Sequence, residues 1–135
     1  MKSNKNDKTD PKKPLKKRSK TAWKTRIKKA CIEAGTYKPY FDEMIISLAA
    51  VLEKRDEAEI GYVDSGNAPV VEHTNQGGAT NLVKNPYLIV WMDLNAQALS
   101  YWRDLGLTPA GLKKLGENTL TVKTSALEEA LSKIT

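Results

Sequence analysis

The sequence of 135 residues contains one cysteine, Cys31, and one histidine, His73. A single cysteine cannot form a disulfide within the chain, and with a single histidine it cannot complete a zinc site. No apolar run approaches the roughly 18 residues of a membrane span, and no apolar segment stands at the N-terminus. These absences exclude a disulfide scaffold and a zinc domain, and they predict a protein with no membrane partner. A reducing cytoplasm fits the single cysteine, and a secreted protein without disulfides is the alternative.

The sequence also has little that could carry catalysis. The glycines of "GGATN" at 77–81 are not followed by the Lys-Ser/Thr pair of a phosphate-binding P-loop, so we interpret the segment as a connector. No nucleophile or orienting carboxylate is identifiable beside His73, which we interpret as a surface residue of a strand. We therefore predict a protein that is not an enzyme, with no catalytic residue, no metal ligand and no cofactor.

Positive charge is concentrated at the N-terminus. Residues 1–30 hold thirteen Lys and Arg against two acids, whereas the remaining 105 residues hold nine against fourteen. A basic arm on a mildly acidic body suits a polyanion, which in a cytoplasm is mostly nucleic acid. Residues 1–19 contain two prolines and only two large apolar side chains, so we expect this arm to be disordered when unbound.

The candidate DNA-binding residues are the cations of 12–29, which would neutralise phosphates with little sequence preference and a steep salt dependence. Two lysines further along the chain are accessory candidates. The complete set is Lys12, Lys13, Lys16, Lys17, Arg18, Lys20, Lys24, Arg26, Lys28, Lys29, Lys113 and Lys114. Trp23 could stack on a base, but we interpret it as the anchor of the first helix on the body. A solubilising tail is the alternative interpretation of the arm.

Periodicity and capping signals predict a mainly α fold built on a long antiparallel helical hairpin with a short β-hairpin insertion. A first helix covers 20–35, capped by Thr21 and closed by Gly35, and a second covers 39–58. Apolar residues on both sides of a Gly-Asn-Ala-Pro turn predict the β-hairpin near 60–73. Because an isolated hairpin is marginal in water, it must lean on helices or pair with a neighbouring chain.

The third helix, 86–105, has the clearest boundaries, since Asn85 is suited to cap it, Pro86 to begin it and Gly106 to end it. Its apolar side chains form nearly two faces, although a helix at a monomer surface needs only one. We therefore expect this helix to be central to the domain and also to contact another subunit; a single internal core is the alternative. The expected oligomer contacts are Tyr87, Trp91, Leu94, Tyr101 and Trp102.

The stretch "LGLTPAGLKKLG" at 105–116 has the pattern of a helix-turn-helix, with a glycine stop and a Thr-Pro restart. Leucines dominate it, so we interpret it as a packed corner in which Lys113 and Lys114 are at most accessory phosphate contacts. After a stop at Gly116, residues 117–135 are expected to form a linker and an amphipathic helix with a Ser-x-x-Glu capping box. Residues 20–116 then make a helical domain for DNA binding and oligomerisation.

Three segments in this order are familiar: "YKPYFDEMI" in the second helix, "GGATNLVKNP" before the third, and "LGLTPAGLKKLG" after it. Together they resemble the small subunit of a phage terminase, the DNA-packaging factor of tailed bacteriophages. The resemblance covers roughly residues 35–116. Its most specific parts are "VKNP" at 83–86 and "LGLTPAGLKKL" at 105–115, and their order and spacing carry more weight than either segment alone.

The resemblance implies a function that composition cannot supply. Small terminase subunits form rings, bind the packaging-initiation site of double-stranded viral DNA in the host bacterial cytoplasm, and bring it to the large ATPase and nuclease subunit. A C-terminal segment often contacts that large subunit. Two alternatives remain at this stage: a helix-turn-helix transcription regulator that reads an operator through 105–115, and an interaction protein whose arm is only a solubiliser.

Overall fold

Four helices and one β-hairpin make up the structure, a computed structural model that describes residues 15–134 and, for residues 118–124, the backbone alone. The mainly α fold with a hairpin insertion that we predicted is confirmed. In chain order the elements are α1 (Lys20–Glu33), a 3-10 turn (Pro39–Phe41), α2 (Asp42–Asp64), β1 (Val70–Thr74), β2 (Thr80–Lys84), α3 (Pro86–Asp104) and α4 (Pro109–Ser132).

Helices α2 and α3 form the predicted antiparallel hairpin. The end of α2 lies against the start of α3, where a Cβ on Gly61 would fall within 3 Å of the Tyr87 ring. Nearer the middle, Arg55 Nη1 donates to Asn95 Oδ1 at 2.9 Å. Helix α1 packs on α2, and the three helices bury one apolar core. Its members are Trp23, Ile27, Cys31, Ile45, Leu48, Ala49, Leu52, Ala98 and Leu105.

Helix α1 begins at Lys20, as predicted, but its cap lies two residues earlier than we expected. Ser19 caps it by accepting a hydrogen bond from the Ala22 amide at 3.1 Å, so Thr21, which we expected to be the cap, lies inside the helix. The C-terminal signal was correct, because Gly35 adopts a φ of +73° directly after the last turn. The apolar stripe of α1 faces α2, which leaves its charged faces exposed.

The β-hairpin lies later in the chain than the predicted position near 60–73. Residues 60–64 continue α2, and the strands are 70–74 and 80–84, paired antiparallel with Val70 opposite Lys84 and Thr74 opposite Thr80. The β-favouring Ile60, Tyr62 and Val63 stay helical because this last turn of α2 packs on α3, and tertiary packing overrides weak local propensity. The "NQGGA" segment is the hairpin loop, in which Gly78 has a φ of +83°.

A single buried amide joins the hairpin to both long helices. Asn85 is 1% exposed. Its Nδ2 donates to Ser65 Oγ, after the end of α2, and to the Ala68 carbonyl, both at 2.8 Å. Its Oδ1 caps α3 by accepting from the Tyr87 amide at 3.1 Å, as predicted for this N-cap. Its own backbone N–H donates to the Pro69 carbonyl at 2.8 Å, so every polar group of this residue that holds the junction has a partner.

The corner between α3 and α4 is tightly packed. Thr108 Oγ1 caps α4 by accepting from the Gly111 amide at 3.1 Å, and Leu105 is fully buried. A Cβ at Gly111 would lie only 2.0 Å from the Arg103 carbonyl oxygen, so glycine is required there. The structure therefore supports a packed corner as the interpretation of 105–116.

Helix α4 does not stop at Gly116, contrary to our prediction of a linker after that residue. It continues unbroken to Ser132, and Ser125 is an internal residue rather than a cap. Glycine ends a helix when it adopts a positive φ, and Gly116 is not among the glycines that do. Inside a helix, glycine is less favourable than alanine by only about 1 kcal/mol of helix-forming free energy. The residues that follow Gly116 are compatible with a helix, so the helix continues past it.

We expect Asn85→Ala to lower the free energy of unfolding by about 2–3 kcal/mol, because it removes a helix cap and leaves buried partners unsatisfied. Chemical denaturation followed by circular dichroism measures this loss. Asn85→Asp is the matched control, since it keeps the capping oxygen and loses only the two Nδ2 bonds; its loss should be intermediate. Equal stability of all three proteins would contradict this account of the junction.

Candidate nucleic-acid interface

The outer surface of α1 carries most of the exposed positive charge that the sequence predicted. Trp23, Ile27 and Cys31 occupy the buried face of the helix. Lys20, Lys24 and Lys28 follow one another at four-residue intervals and are exposed; this spacing places them in a row along one side, about 6 Å apart along the axis.

Further cations extend this basic surface around the helix. Arg26 and Lys29 are exposed on other sides of α1, and Lys16 and Arg18 are exposed just before it. The Lys29 ammonium lies 3.9 Å from Glu33 Oε1 at the surface, a pair too open to tie it down. Lys12 and Lys13 lie outside the described residues. The surface formed by Lys16, Arg18 and the exposed cations of α1 is called here the α1 basic surface.

The last residues of the arm contact α2, although we predicted disorder through residue 19. Lys17 Nζ donates to Glu57 Oε1 at 2.5 Å, and the Arg18 backbone amide donates to Asp56 Oδ2 at 3.2 Å. One turn further on, the Lys20 amide donates to Glu53 Oε2 at 2.6 Å. The acidic body thus supplies three carboxylates that fix the entry to α1, a contribution that charge counting along the sequence does not reveal.

The Lys17–Glu57 pair shifts the ionisation of both partners. The hydrogen bond from Lys17, followed by the one from Lys54, holds the pKa of the Glu57 carboxyl below its ordinary value. The bond to Glu57 raises the pKa of Lys17 in turn. Lys17 is therefore engaged with the body of its own chain; in the α1 row, the Lys28 ammonium lies 5.0 Å from the centroid of the Tyr37 ring.

Trp23 is the anchor of α1, as predicted. Its ring is 7% exposed, and Nε1 donates to Asp56 Oδ2 at 2.8 Å. Three guanidinium groups surround the ring at cation–π distance, with their central carbons 5.2, 5.6 and 5.8 Å from its centroid; they belong to Arg18, Arg26 and Arg55. A ring that is buried and surrounded in this way is not available to stack on a base.

A second, smaller group of cations lies at the α3–α4 corner. Lys113 and Lys114 are exposed on the first turns of α4. Lys114 shares the lining of a shallow depression with Arg103 and Asp104. Arg103 is not among the cations that we predicted to contact DNA, although its position in the last turn of α3, beside a predicted corner, was the available signal.

The described part of the chain holds no group of three His, Cys, Asp or Glu side chains arranged to bind a metal ion. Within the same residues, none of the helices is long and apolar enough to cross a bilayer. His73 lies on β1 opposite Asn81 and is exposed, as predicted for a surface strand residue.

Comparison with known proteins includes a match to a protein family. A family model described as "Phage terminase, small subunit" matches residues 19–120, which is most of the chain. The chain belongs to this family. No curated protein and no solved structure gave a significant match. The match includes all of α1 and the corner, so the cations of α1 lie within the terminase small-subunit region, whereas Lys16 and Arg18 lie just before it.

The small-subunit residues that we predicted to contact other copies fall into two groups. Trp91, Leu94, Tyr101 and Trp102 are partly buried within their own chain, and Tyr101 and Trp102 pack on its core. Tyr87 is about half exposed. The expected contacts did not include the exposed apolar residues on the other flank of α3, which are Ile89, Met92 and Leu99.

We expect Lys17→Gln to raise the pKa of Glu57 toward its ordinary value, because it removes the largest cause of the depression. A group with a depressed folded pKa stabilises the fold above its unfolded pKa, and that contribution is lost as the pH falls through the folded value. The Glu57 carboxyl carbon, followed by NMR during an acid titration, measures the change. Lys54→Gln is the control and should raise the pKa less. An unchanged midpoint in Lys17→Gln would contradict the pairing.

Proposed function

We propose that this chain is a ring-forming, DNA-binding terminase small subunit that recognises the packaging-initiation site of viral DNA and brings it to the large subunit. The observation that carries the proposal is the α1 basic surface, presented outward by a helix that lies within the family match. The chain has no catalysis of its own in this proposal. It works in the host bacterial cytoplasm, where the ATPase and nuclease belong to the large subunit.

The α1 basic surface is suited to grip DNA phosphates. Lys20 and Lys24 project from a helix anchored by Trp23, so their ammonium groups are held on a fixed support rather than on a loop. Lys12 and Lys13 are proposed to add contacts from the arm. The corner lysines Lys113 and Lys114 extend the same role. Because phosphate contacts carry no sequence information directly, they position the protein on the duplex.

We expect Lys20→Gln with Lys24→Gln to weaken binding to double-stranded DNA and to lower the slope of log affinity against log salt by about 2, since each phosphate contact contributes about 0.9. Fluorescence anisotropy with a labelled duplex at several salt concentrations measures the slope. Lys38→Gln with Lys133→Gln changes the net charge equally at exposed positions outside the α1 basic surface and should leave the slope unchanged. Equal slopes for both variants would refute the assignment.

The exposed flanks of α3 support association of copies. On one flank, Tyr87 and Val90 are 49% and 47% exposed; on the other, Met92 and Leu99 are 58% and 49% exposed. The helix thus presents two different apolar flanks on either side of the stripe that packs on α2. A subunit with two different contact surfaces associates head to tail, and such contacts generate a ring when the rotation closes.

We expect Leu99→Asp to disrupt the ring, because burying a carboxylate in an apolar contact costs about 2 kcal/mol or more per junction. Ser100→Asp, one position along on the polar side of α3, adds the same charge and should assemble normally. Size-exclusion chromatography with light scattering measures the mass of each protein. A wild-type protein that stays monomeric at micromolar concentration would overturn the ring, and a Leu99→Asp ring would overturn this contact.

The C-terminal half of α4 is the proposed contact for the large subunit. Leu127 and Leu131, four residues apart and so on one side of the helix, are 61% and 56% exposed, and Ile134, two residues beyond its end, is 80% exposed. An amphipathic helix of this kind binds in the apolar groove of a partner. This assignment keeps the DNA contacts and the large-subunit contact on different elements of the chain. At the corner, the close packing around Gly111 favours a structural turn between α3 and α4 over a helix-turn-helix that reads an operator through 105–115.

A further inference from the structure

The β-hairpin stands outside the packed body of the chain. Every residue of β1 and β2 except Val71 is exposed, and Leu82 reaches 72%. Among the described residues, the strands pack chiefly on each other rather than on a helix. The hairpin is joined to the body at its base, where Asn85 N donates to the Pro69 carbonyl.

Such a hairpin is incomplete by itself. An isolated two-stranded sheet is marginal in water and normally needs a third strand or a packed helix. Both outer edges also present unpaired backbone groups, which proteins usually cover or blunt. Valines and a leucine on the two faces add apolar surface that remains exposed in a single copy. Something of matching extended geometry is therefore expected to complete the sheet.

Charge is divided between the two strands. Glu72 is the acid of β1 and Lys84 is the base of β2. The register places Glu72 opposite Leu82 and Lys84 opposite Val70, so the acid and the base lie on the same face of the sheet. The contact between Thr74 Oγ1 and Thr80 Oγ1 at 2.9 Å, on that face, confirms the alternation. In the described part of the chain the two charges form no ion pair within 4.0 Å.

We propose that the hairpins of neighbouring copies join edge to edge, with β2 of one copy pairing antiparallel to β1 of the next, so that one sheet continues through the assembly. This inference rests on the ring proposed above and names the surface that closes it. In the register of the hairpin itself, Lys84 of one copy lies diagonal to Glu72 of the next, as it does to Glu72 of its own chain, so each junction repeats a diagonal that long side chains can bridge.

The alternative pairings of two copies are less favourable. If β1 paired with β1 about a two-fold axis, Glu72, the central residue of the strand, would face its own symmetry mate. If β2 paired with β2, the β1 edge of each copy would stay open. Only pairing of β2 with β1 satisfies both edges of every hairpin and brings opposite charges together. That contact is head to tail, the type that a ring requires.

The experiment uses the two charge reversals Glu72→Lys and Lys84→Glu. Each single variant places like charges at every junction and should weaken association about fivefold per junction, seen as a smaller mass by light scattering. An equimolar mixture of the two variants restores opposite charges where they alternate, so it should recover the ring. The double variant should also assemble. Glu43→Lys, with the same charge change on α2, is the control and should assemble as the wild type does.

The possible outcomes distinguish failure of the hairpin contact from failure of the ring. A monomeric wild type refutes the ring, whatever the variants do. A wild-type ring with both single variants fully assembled keeps the ring and overturns the hairpin contact. Dissociated single variants that do not recover on mixing show that the charges act within one chain, which also overturns it. Circular dichroism of each variant checks that the helical body is folded.

Discussion

The buried amide of Asn85 is the constraint on which the arrangement of the molecule depends. One side chain accepts from the first turn of α3 and donates to the segment that leaves α2, while its backbone bonds to the base of the hairpin. Because an unpaired buried amide is costly, these three elements can separate only together. The hairpin therefore takes its direction from the two long helices and projects from one end of the body.

The opposite end of the helical hairpin carries the loop after α1 and the α3–α4 corner, where Gly106 lies close to Thr36. The α1 basic surface, which begins beside Glu53 and Asp56 on α2, runs toward this end. The surface proposed for phosphate lies on α1, and the surfaces proposed for other copies lie on α3 and the hairpin. The carboxylates of α2 hold the backbone and Lys17 at the entry to α1, and they leave the side chains of Lys20 and Lys24 exposed.

Local signals predicted the features that local chemistry determines. We predicted correctly that α3 begins at Asn85-Pro86 and that a glycine follows α1, because cap geometry depends on a few adjacent residues. The hairpin position was wrong because Tyr62 and Val63 carry β propensity, yet the turn that contains them packs on α3. The prediction that a helix ends at Gly116 was wrong, because the sequence around this glycine resembles a C-cap and its φ cannot be read from sequence.

For the candidate site, too, the local features could be predicted from the sequence and the long-range contacts could not. The cations of α1 could be named from composition and helical spacing, since a helix anchored by Trp23 and Ile27 must present its other faces outward. The partnership of Lys17 with Glu57, forty residues away, could not be named, because it depends on how α1 lies on α2. For α3, periodicity identified an excess of apolar surface, but only the packing on α2 showed that Met92 and Leu99 remain uncovered.

Because α4 is one continuous helix, it fixes the distance between the α3–α4 corner and the leucines near its C-terminal end. A linker of the kind that we expected after Gly116 would let the C-terminal leucines explore a broad volume, with a span that grows only as the square root of its length. A helix of 24 residues instead sets a separation of about 36 Å between its ends. A partner that engages Leu127 and Leu131 meets them at a fixed distance from the corner, so the helix acts as a spacer that selects partners by geometry as well as by affinity.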